Sequence, residues 1–386
     1  MRIALIGPAH PYKGGGARHT TELAHRLAAA GHDVVLVSWR AQYPRRLYPG
    51  QQTVEVPEGA PYPRTRRVLA WYRPDGWLAT GVRLAAADLV VFALLTPIQV
   101  PAYLTIMAGL GRGVGQHGRS TAVICHNVLP HERRPGDVPL TRALLSRAGT
   151  VITHSAAQAA QARDLAPGAA VRTVTMPPHL PAAGQEDHGA ERGSVPAPAH
   201  CRLLFFGIVR PYKGLDVLLR ALAGAPSHVT LTVAGEFWGG TTGTEQLIAG
   251  LGLAGRVTLR PGYVPARQIP ALFAAADALV MPYREATASQ NALLAFAHGV
   301  PVITTTAGAL AEAVRDGVDG LTCAPGDAED LLRALKEISD PQTARRLRAG
   351  IPAVDPDSGW PAYLQALLAG WARPAGQGGA PPRPGR

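Results

Sequence analysis

Two cations stand three residues apart in the segment Leu203–Leu219, LLFFGIVRPYKGLDVLL, and their setting gives them chemical meaning. An apolar run ends at Gly207, Arg210 and Lys213 flank a Pro-Tyr turn, and a helical pattern begins at Asp216. A strand-to-helix turn puts such side chains at the mouth of a sheet, where a planar guanidinium fork and a compact ammonium suit diphosphate oxygens. Without that setting they are two cations on a solvated loop. A second turn of this kind is Lys13-Gly14-Gly15-Gly16, which follows the apolar run Arg2–Gly7 and precedes a helical pattern through Leu23 and Leu27. Backbone N–H groups and a helix N-terminus there can hold a phosphate. Its adjacent glycines have neither the dinucleotide spacing nor the Lys-Ser/Thr ending of a nucleotide-triphosphate loop. A third turn lies within Val280–Ile303, where Glu285, Thr287, Ser289, Gln290 and Asn291 lead into a helix. Their hydroxyls and amides suit ribose hydroxyls and phosphate oxygens. Finally, His126, within the run Val123–Asn127 (VICHN), follows a central strand; a lone histidine is more often structural, but this one ends a strand at the crevice side of a sheet.

The elements that must position these groups alternate. Asp33–Ser38, Asp88–Leu95, Ser120–Cys125 and Thr150–Thr153 read as buried strands with helices between them. A second series follows at Arg202–Phe206, His228–Val233, Val257–Leu259, Ala278–Met281 and Val300–Thr304. Two successive series of this kind predict two doubly wound α/β domains facing across a cleft. Their boundaries are expected at 1–180 and 201–357, joined by a Pro/Gly/Ala-rich linker at 181–200. A helix at 358–370 should return to the first domain, and the tail 374–386 should be disordered. Ligands bind in such folds at the carboxyl ends of the strands.

Of 386 residues 47% are hydrophobic and 17% charged, as expected of a chain with real cores. The net charge of +11 comes from arginine, because Lys13, Lys213 and Lys336 are the only lysines. Arg45–Arg46, Arg64–Arg66–Arg67 and Arg133–Arg134 form clusters that suit phosphates or an anionic membrane face, unless they reflect compositional drift alone. No basic tract interleaved with aromatics accompanies them, so nucleic acid is not an expected partner. Cys125, Cys201 and Cys323 are scattered without a CxxC pair, which fits reduced thiols in a cytoplasmic protein and no zinc site. The apolar stretch Leu84–Leu110 is broken by Asp88, Pro97, Gln99 and Pro101, short of the roughly 20 residues that cross a bilayer.

The GGG loop, FFGIVRPYKG, Ala234-Gly235-Glu236, GYVPARQIPALFAAADALVMPY, HGVPVITTTAGALAEAVRDGVDGL and the closing Trp360 helix together resemble glycosyltransferase family 4 with the GT-B architecture. The likeness covers about residues 1 to 370. It implies a metal-independent, retaining, bacterial-type hexosyltransferase without cofactor, acting in polysaccharide or glycoconjugate synthesis. Its nucleotide-sugar donor would sit mainly on the second domain. Carried over position by position, Gly15, Gly16, Gly207 and Glu236 would approach the donor. Arg210 and Lys213 would neutralise the leaving diphosphate, and His126 would lie near the sugar and acceptor. One departure stands out: where the family has two glutamates seven residues apart, this chain has Glu285 one position early and Leu294 in the helix. The absent glutamate's implied task is to bind the ribose hydroxyls. The loop EATASQN is similar to a branch with an Ala-Thr-x-Ser segment, in which Thr287 and Ser289 would contact phosphate or ribose. The acceptor is expected to be a glycan, a lipid-linked or a small-molecule hydroxyl, with peripheral contact at an anionic inner membrane face. Two other readings share the fold: an inactive nucleotide-binding or scaffold protein, and a nucleotide-sugar epimerase or hydrolase.

Overall fold

The structure, a computed structural model, describes residues 1–44, 50–111, 120–180, 200–286 and 289–369. Residues 181–199 of the expected linker, the tail expected to be disordered and the Arg45–Arg46 cluster lie outside the described residues. Two wholly parallel sheets carry the described chain. The first contains β1 (Arg2–Ile6), β2 (Asp33–Ala41), β3 (Thr65–Ala70), β4 (Leu89–Leu94), β5 (Ser120–Cys125), β6 (Thr150–Thr153) and β7 (Val171–Thr173), in the order β3-β2-β1-β4-β5-β6-β7. The second contains β8 (Cys201–Phe206), β9 (Val229–Gly235), β10 (Val257–Pro261), β11 (Ala278–Met281), β12 (Val302–Thr305) and β13 (Gly320–Cys323), in the order β10-β9-β8-β11-β12-β13. This is the GT-B arrangement of two doubly wound domains.

The strands read as continuous apolar runs because helices cover both faces of each sheet. Successive side chains therefore serve different cores. Ala4 and Ile6 join Phe92 and Val123 on one face of the first sheet, while Ile3 and Leu5 join Val91 and Ile124 on the other. In the second sheet Leu203 and Phe205 enter one core and Leu204 the other. β12 begins at Val302, two residues later than expected, after Pro301, which has no N–H to give the ladder. β3 was not legible in sequence, because it is an edge strand whose Arg66 and Arg67 face solvent while Leu69 and Ala70 are buried. Exposed charge on an edge discourages pairing with another chain.

The helix Gly15–Ala29 buries Ala17, Leu23, Ala24 and Leu27 and stops before Gly31, whose φ of +84° suits glycine. The helix Trp360–Leu368 crosses back to the first sheet. Its Trp360, Tyr363 and Leu367 join the core of Ile3, Leu5, Leu23 and Ile152, and Trp360 Nε1 donates to Pro178 O at 3.0 Å. No described helix is long and apolar enough to cross a membrane.

Candidate functional site

In each sheet the strand order reverses beside the first strand, between β1 and β4 and between β8 and β11. Such switch points leave a crevice at the carboxyl ends of the strands. The loops after β1 and β8 are the two Gly-rich turns read from the sequence, and they meet across a cavity of about 250 Å3. The first domain supplies Lys13, Gly14 and Gly15. The second supplies Gly207, Lys213, Gly235, Glu236, Gln290 and Asn291, with Phe206, Tyr263, Val264 and Ile269 as an apolar flank.

Backbone crowding shapes the floor. Gly235 has φ +154°, and a Cβ there would lie 1.8 Å from Gly207 O, so two strand ends approach closer than any side chain permits. Lys213 Nζ sits 5.0 Å from the Tyr283 ring centroid and 3.4 Å from where a Cβ on Gly207 would stand. Burial acts to lower the Lys213 amine, but Tyr283 and Tyr212 outweigh it and leave the amine above its ordinary value. The ammonium is thus held charged within the cavity wall. Asn291, at the start of the helix Asn291–Ala297, donates from Nδ2 to Phe206 O at 3.1 Å. It ties the polar turn to the end of β8.

Glu236 also stands at the cavity, where it meets the first domain. Its Oε1 is 2.5 Å from Lys13 Nζ and accepts the Gln51 backbone N–H at 3.0 Å. Lys13 lies 4.5 Å above the Tyr263 ring, and burial lowers its pKa against the opposing pull of Glu236. Two more contacts cross the cleft: Arg210 pairs with Glu132, and His131 stacks on Tyr212 at 4.5 Å with Nδ1 3.4 Å from Glu285.

Of the residues singled out in the sequence, Gly15, Gly207, Lys213, Glu236 and Gln290 line this one cavity. Four others stand elsewhere. Arg210 turns away from the cavity, its guanidinium 4.5 Å from the Trp238 ring centroid and bound to Glu132, so its role reads as cross-cleft pairing. Gly16 backs onto Leu95, whose Cδ2 lies 2.3 Å from a Cβ built there, so that glycine gives the helix close packing. Glu285 is an exposed partner of His131, and Ser289 accepts the Asn291 N–H at 3.3 Å inside its own turn. Thr287 lies outside the described residues.

His126 enters a cluster that local sequence could not reveal, because its members come from four distant segments. His126 is 4.9 Å from His19 and 5.9 Å from His154, centroid to centroid, and His19 is 5.2 Å from His179. Trp360 and Tyr363 complete the enclosure. His154 donates Nδ1–H to Val174 O and His179 to Pro177 O, leaving each Nε2 as an acceptor. Burial pulls His154 down to about 4 and His179 to about 3, and holds His19 and His126 well below the ordinary value. A second cavity, of about 530 Å3, runs behind the helix Gly15–Ala29. Arg18, Glu58, Leu180 and Leu294 line both cavities. Neither Arg18 nor Glu58 carries a local motif that sequence reading could have found.

Two doubly wound sheets closing on a cavity rich in glycine amides and lysine define a GT-B protein. A model of glycosyltransferase family 4 matches residues 13–180, and one of group 1 glycosyl transferases matches residues 200–340. Glycogen synthase of Mycobacterium tuberculosis H37Rv is 30% identical over 393 residues, covering 93% of this chain and 92% of its own. D-inositol 3-phosphate glycosyltransferase 1 of Catenulispora acidiphila is 29% identical over 95% of this chain and 92% of its own. Among solved structures, sucrose-phosphate synthase of Thermosynechococcus elongatus superposes with a TM-score of 0.71 at 21% identity, covering 95% of this chain and 99% of that one. Anabaena HepE, solved in complex with UDP-glucose, gives 0.68 at 18% identity over 96% of this chain and 100% of that one. The chain belongs to the glycosyltransferases of group 1 and family 4, on the GT-B fold.

Proposed function

We propose that the chain is a retaining hexosyltransferase that takes its sugar from a nucleoside-diphosphate donor seated in the 250 Å3 cavity. The observation that carries this is Lys213, a half-buried residue lining the same space as Gly14 and Gly15, with Tyr263 and Val264 as an apolar flank. Charge develops on the leaving diphosphate as the sugar C1–O bond breaks, and fixed donors in a closed cleft stabilise that charge. The acceptor hydroxyl enters on the face the diphosphate leaves, and its proton passes to the departing phosphate oxygen. No resident metal enters this scheme.

The acceptor would approach from the first domain, with a glycan, lipid-linked or small-molecule hydroxyl. Trp71 and Tyr72, 44% and 51% exposed, follow β3 beside Arg66, Arg67 and Arg73, a surface suited to sugar rings and to anionic headgroups at a cytoplasmic membrane face. A second reading, a nucleotide-binding protein without turnover, is favoured by Leu294 alone, which puts an apolar side chain on the cavity wall.

A thermal-shift panel of UDP, GDP, ADP and TDP, with and without chelator, tests the donor. A nucleotide at about 100 times its dissociation constant stabilises the fold by roughly 2.7 kcal/mol. One nucleotide should do so without metal, and Lys213→Ala should lose the effect. Stabilisation by none would end the donor reading, whereas nucleotide binding without sugar transfer to any acceptor would favour the second.

A further inference from the structure

Two ion pairs cross the cleft, and they run in opposite directions. Lys13 of the first domain meets Glu236 of the second, while Glu132 of the first meets Arg210 of the second. The Lys13–Glu236 pair is the more enclosed: its side chains are 4% and 10% exposed, and both residues line the 250 Å3 cavity. A buried ion pair holds two surfaces together only where further contacts offset the lost hydration. Here they are present. Glu236 Oε1 takes both Lys13 Nζ at 2.5 Å and the Gln51 N–H at 3.0 Å, and the ammonium lies 4.5 Å from the Tyr263 ring centroid.

The parts that Glu236 grips form one unit. Tyr12 bridges Thr53, the Lys13 N–H donates to Gln52 O at 3.3 Å, and the Val54 N–H donates to Pro11 O at 2.7 Å. The loop after β1 is therefore tied to the segment 51–54 before either meets the second domain. Gly50, just ahead of that segment, comes close to the second domain: a Cβ there would lie 2.8 Å from Trp238 Nε1 and 3.1 Å from Glu236 Oε2. The outer pair is packed as well, with the Arg210 guanidinium 4.5 Å from the Trp238 ring centroid and its Nε donating to Glu132 at 3.1 Å. Each domain thus offers one cation and one anion, so a shifted register would set like charges against each other.

Resting on the donor reading above, we propose that these reciprocal pairs are a latch on the cleft, and that breaking them is the step that admits and releases the nucleotide. Glu236 acts in this scheme by gripping the first domain. Because the cavity is walled by both domains, a latch that favours their closed register slows entry and exit together. It changes the rates of exchange and leaves the affinity nearly alone.

The test is stopped-flow measurement of nucleotide association and dissociation on the full chain, with UDP, GDP, ADP and TDP as probes. Single substitutions at the buried pair strand a lone charge, so the informative variant is Lys13→Met/Glu236→Gln. It removes the pair, and its glutamine still offers an acceptor to the Gln51 N–H. Both kon and koff should rise about 10-fold, with Kd within about threefold of wild type. Glu132→Gln/Arg210→Met, at the more exposed pair, should raise both rates about threefold and guards against a folding defect at the buried one. Unchanged rates in either double variant overturn the latch. A rise in koff alone also overturns it, since that would make the altered residues ligands of the nucleotide. Small-angle scattering gives a readout that needs no nucleotide: Lys13→Met/Glu236→Gln should have a larger radius of gyration than wild type, and equal radii overturn the latch. A wild type that binds none of the four diphosphates ends the donor reading, and the scattering comparison still decides whether the pairs hold the domains together.

Discussion

At the scale of single residues, the two cations that look equivalent in sequence have separate roles in the structure. Lys213 faces the cavity, whereas Arg210 is committed to Glu132 across the cleft. Lys213→Ala should therefore lower kcat/KM by 10²-fold or more, the usual scale for a group that stabilises developing charge. Donor titration and steady-state kinetics on the same preparation check this, and an unchanged kcat/KM would remove Lys213 from the site. Arg210→Ala and Glu132→Ala should instead cause similar losses, and the double variant should be no worse than either, as for two halves of one interaction. If Arg210→Ala weakens donor binding and Glu132→Ala does not, the arginine touches the donor after all.

At the scale of elements, each Gly-rich turn is aimed by the strand before it and the helix after it. Most of this was legible. The apolar runs of β1, β4, β5, β8 and β11 stand out, as do the glycines that follow β1 and β8, because strands buried on both faces leave no polar alternation to confuse with loops. β3, with its exposed arginines, and the three-residue β7 were not legible, since an edge strand need not be apolar. At the site, the glycines, Lys213 and Gln290 could be read from motifs, each confined to one turn. Glu58, Arg18 and the histidine cluster could not, because contacts between Glu58 and Arg18, 40 residues apart in the chain, leave no local spacing. The returning helix illustrates the same point with energetic consequences. Trp360 is 1% exposed, and Trp360→Ala should cost about 3–5 kcal/mol. Chemical denaturation should register that loss in the first domain's transition. A loss below about 1 kcal/mol would mean that the helix is merely laid on the surface.

At the scale of the whole molecule, charge and protonation set the working range. His154 and His179 titrate near 4 and 3 in the fold but near 6.5 when unfolded. The unfolded chain therefore binds more protons below that value, and stability falls as pH drops through 6.5. At pH 5 each histidine should have removed about 2 kcal/mol, full stability being restored above pH 7. Urea midpoints at pH 7.5, 6 and 5 measure this; a flat profile would mean that the four rings are hydrated. Leu78 and Val82, 48% and 61% exposed, form a stripe one helical turn apart near Trp71, Tyr72 and exposed arginines. Cosedimentation with anionic vesicles should be strong at low salt, weaker at 0.5 M, and reduced by Val82→Glu. Indifference to vesicle charge would confine this face to sugars.

The return of the helix Trp360–Leu368 to the first sheet also bears on the order in which the molecule is made. Domains generally fold as units while the ribosome is still working, the first to emerge folding first. Here the face of β1 and β6 that carries Ile3, Leu5 and Ile152 is covered by Trp360, Tyr363 and Leu367, from the far end of the chain. The half that is synthesised first is therefore finished last. Until that helix leaves the exit tunnel, an apolar patch on the first half stands open, and a chain truncated before Trp360 should need a chaperone to stay in solution.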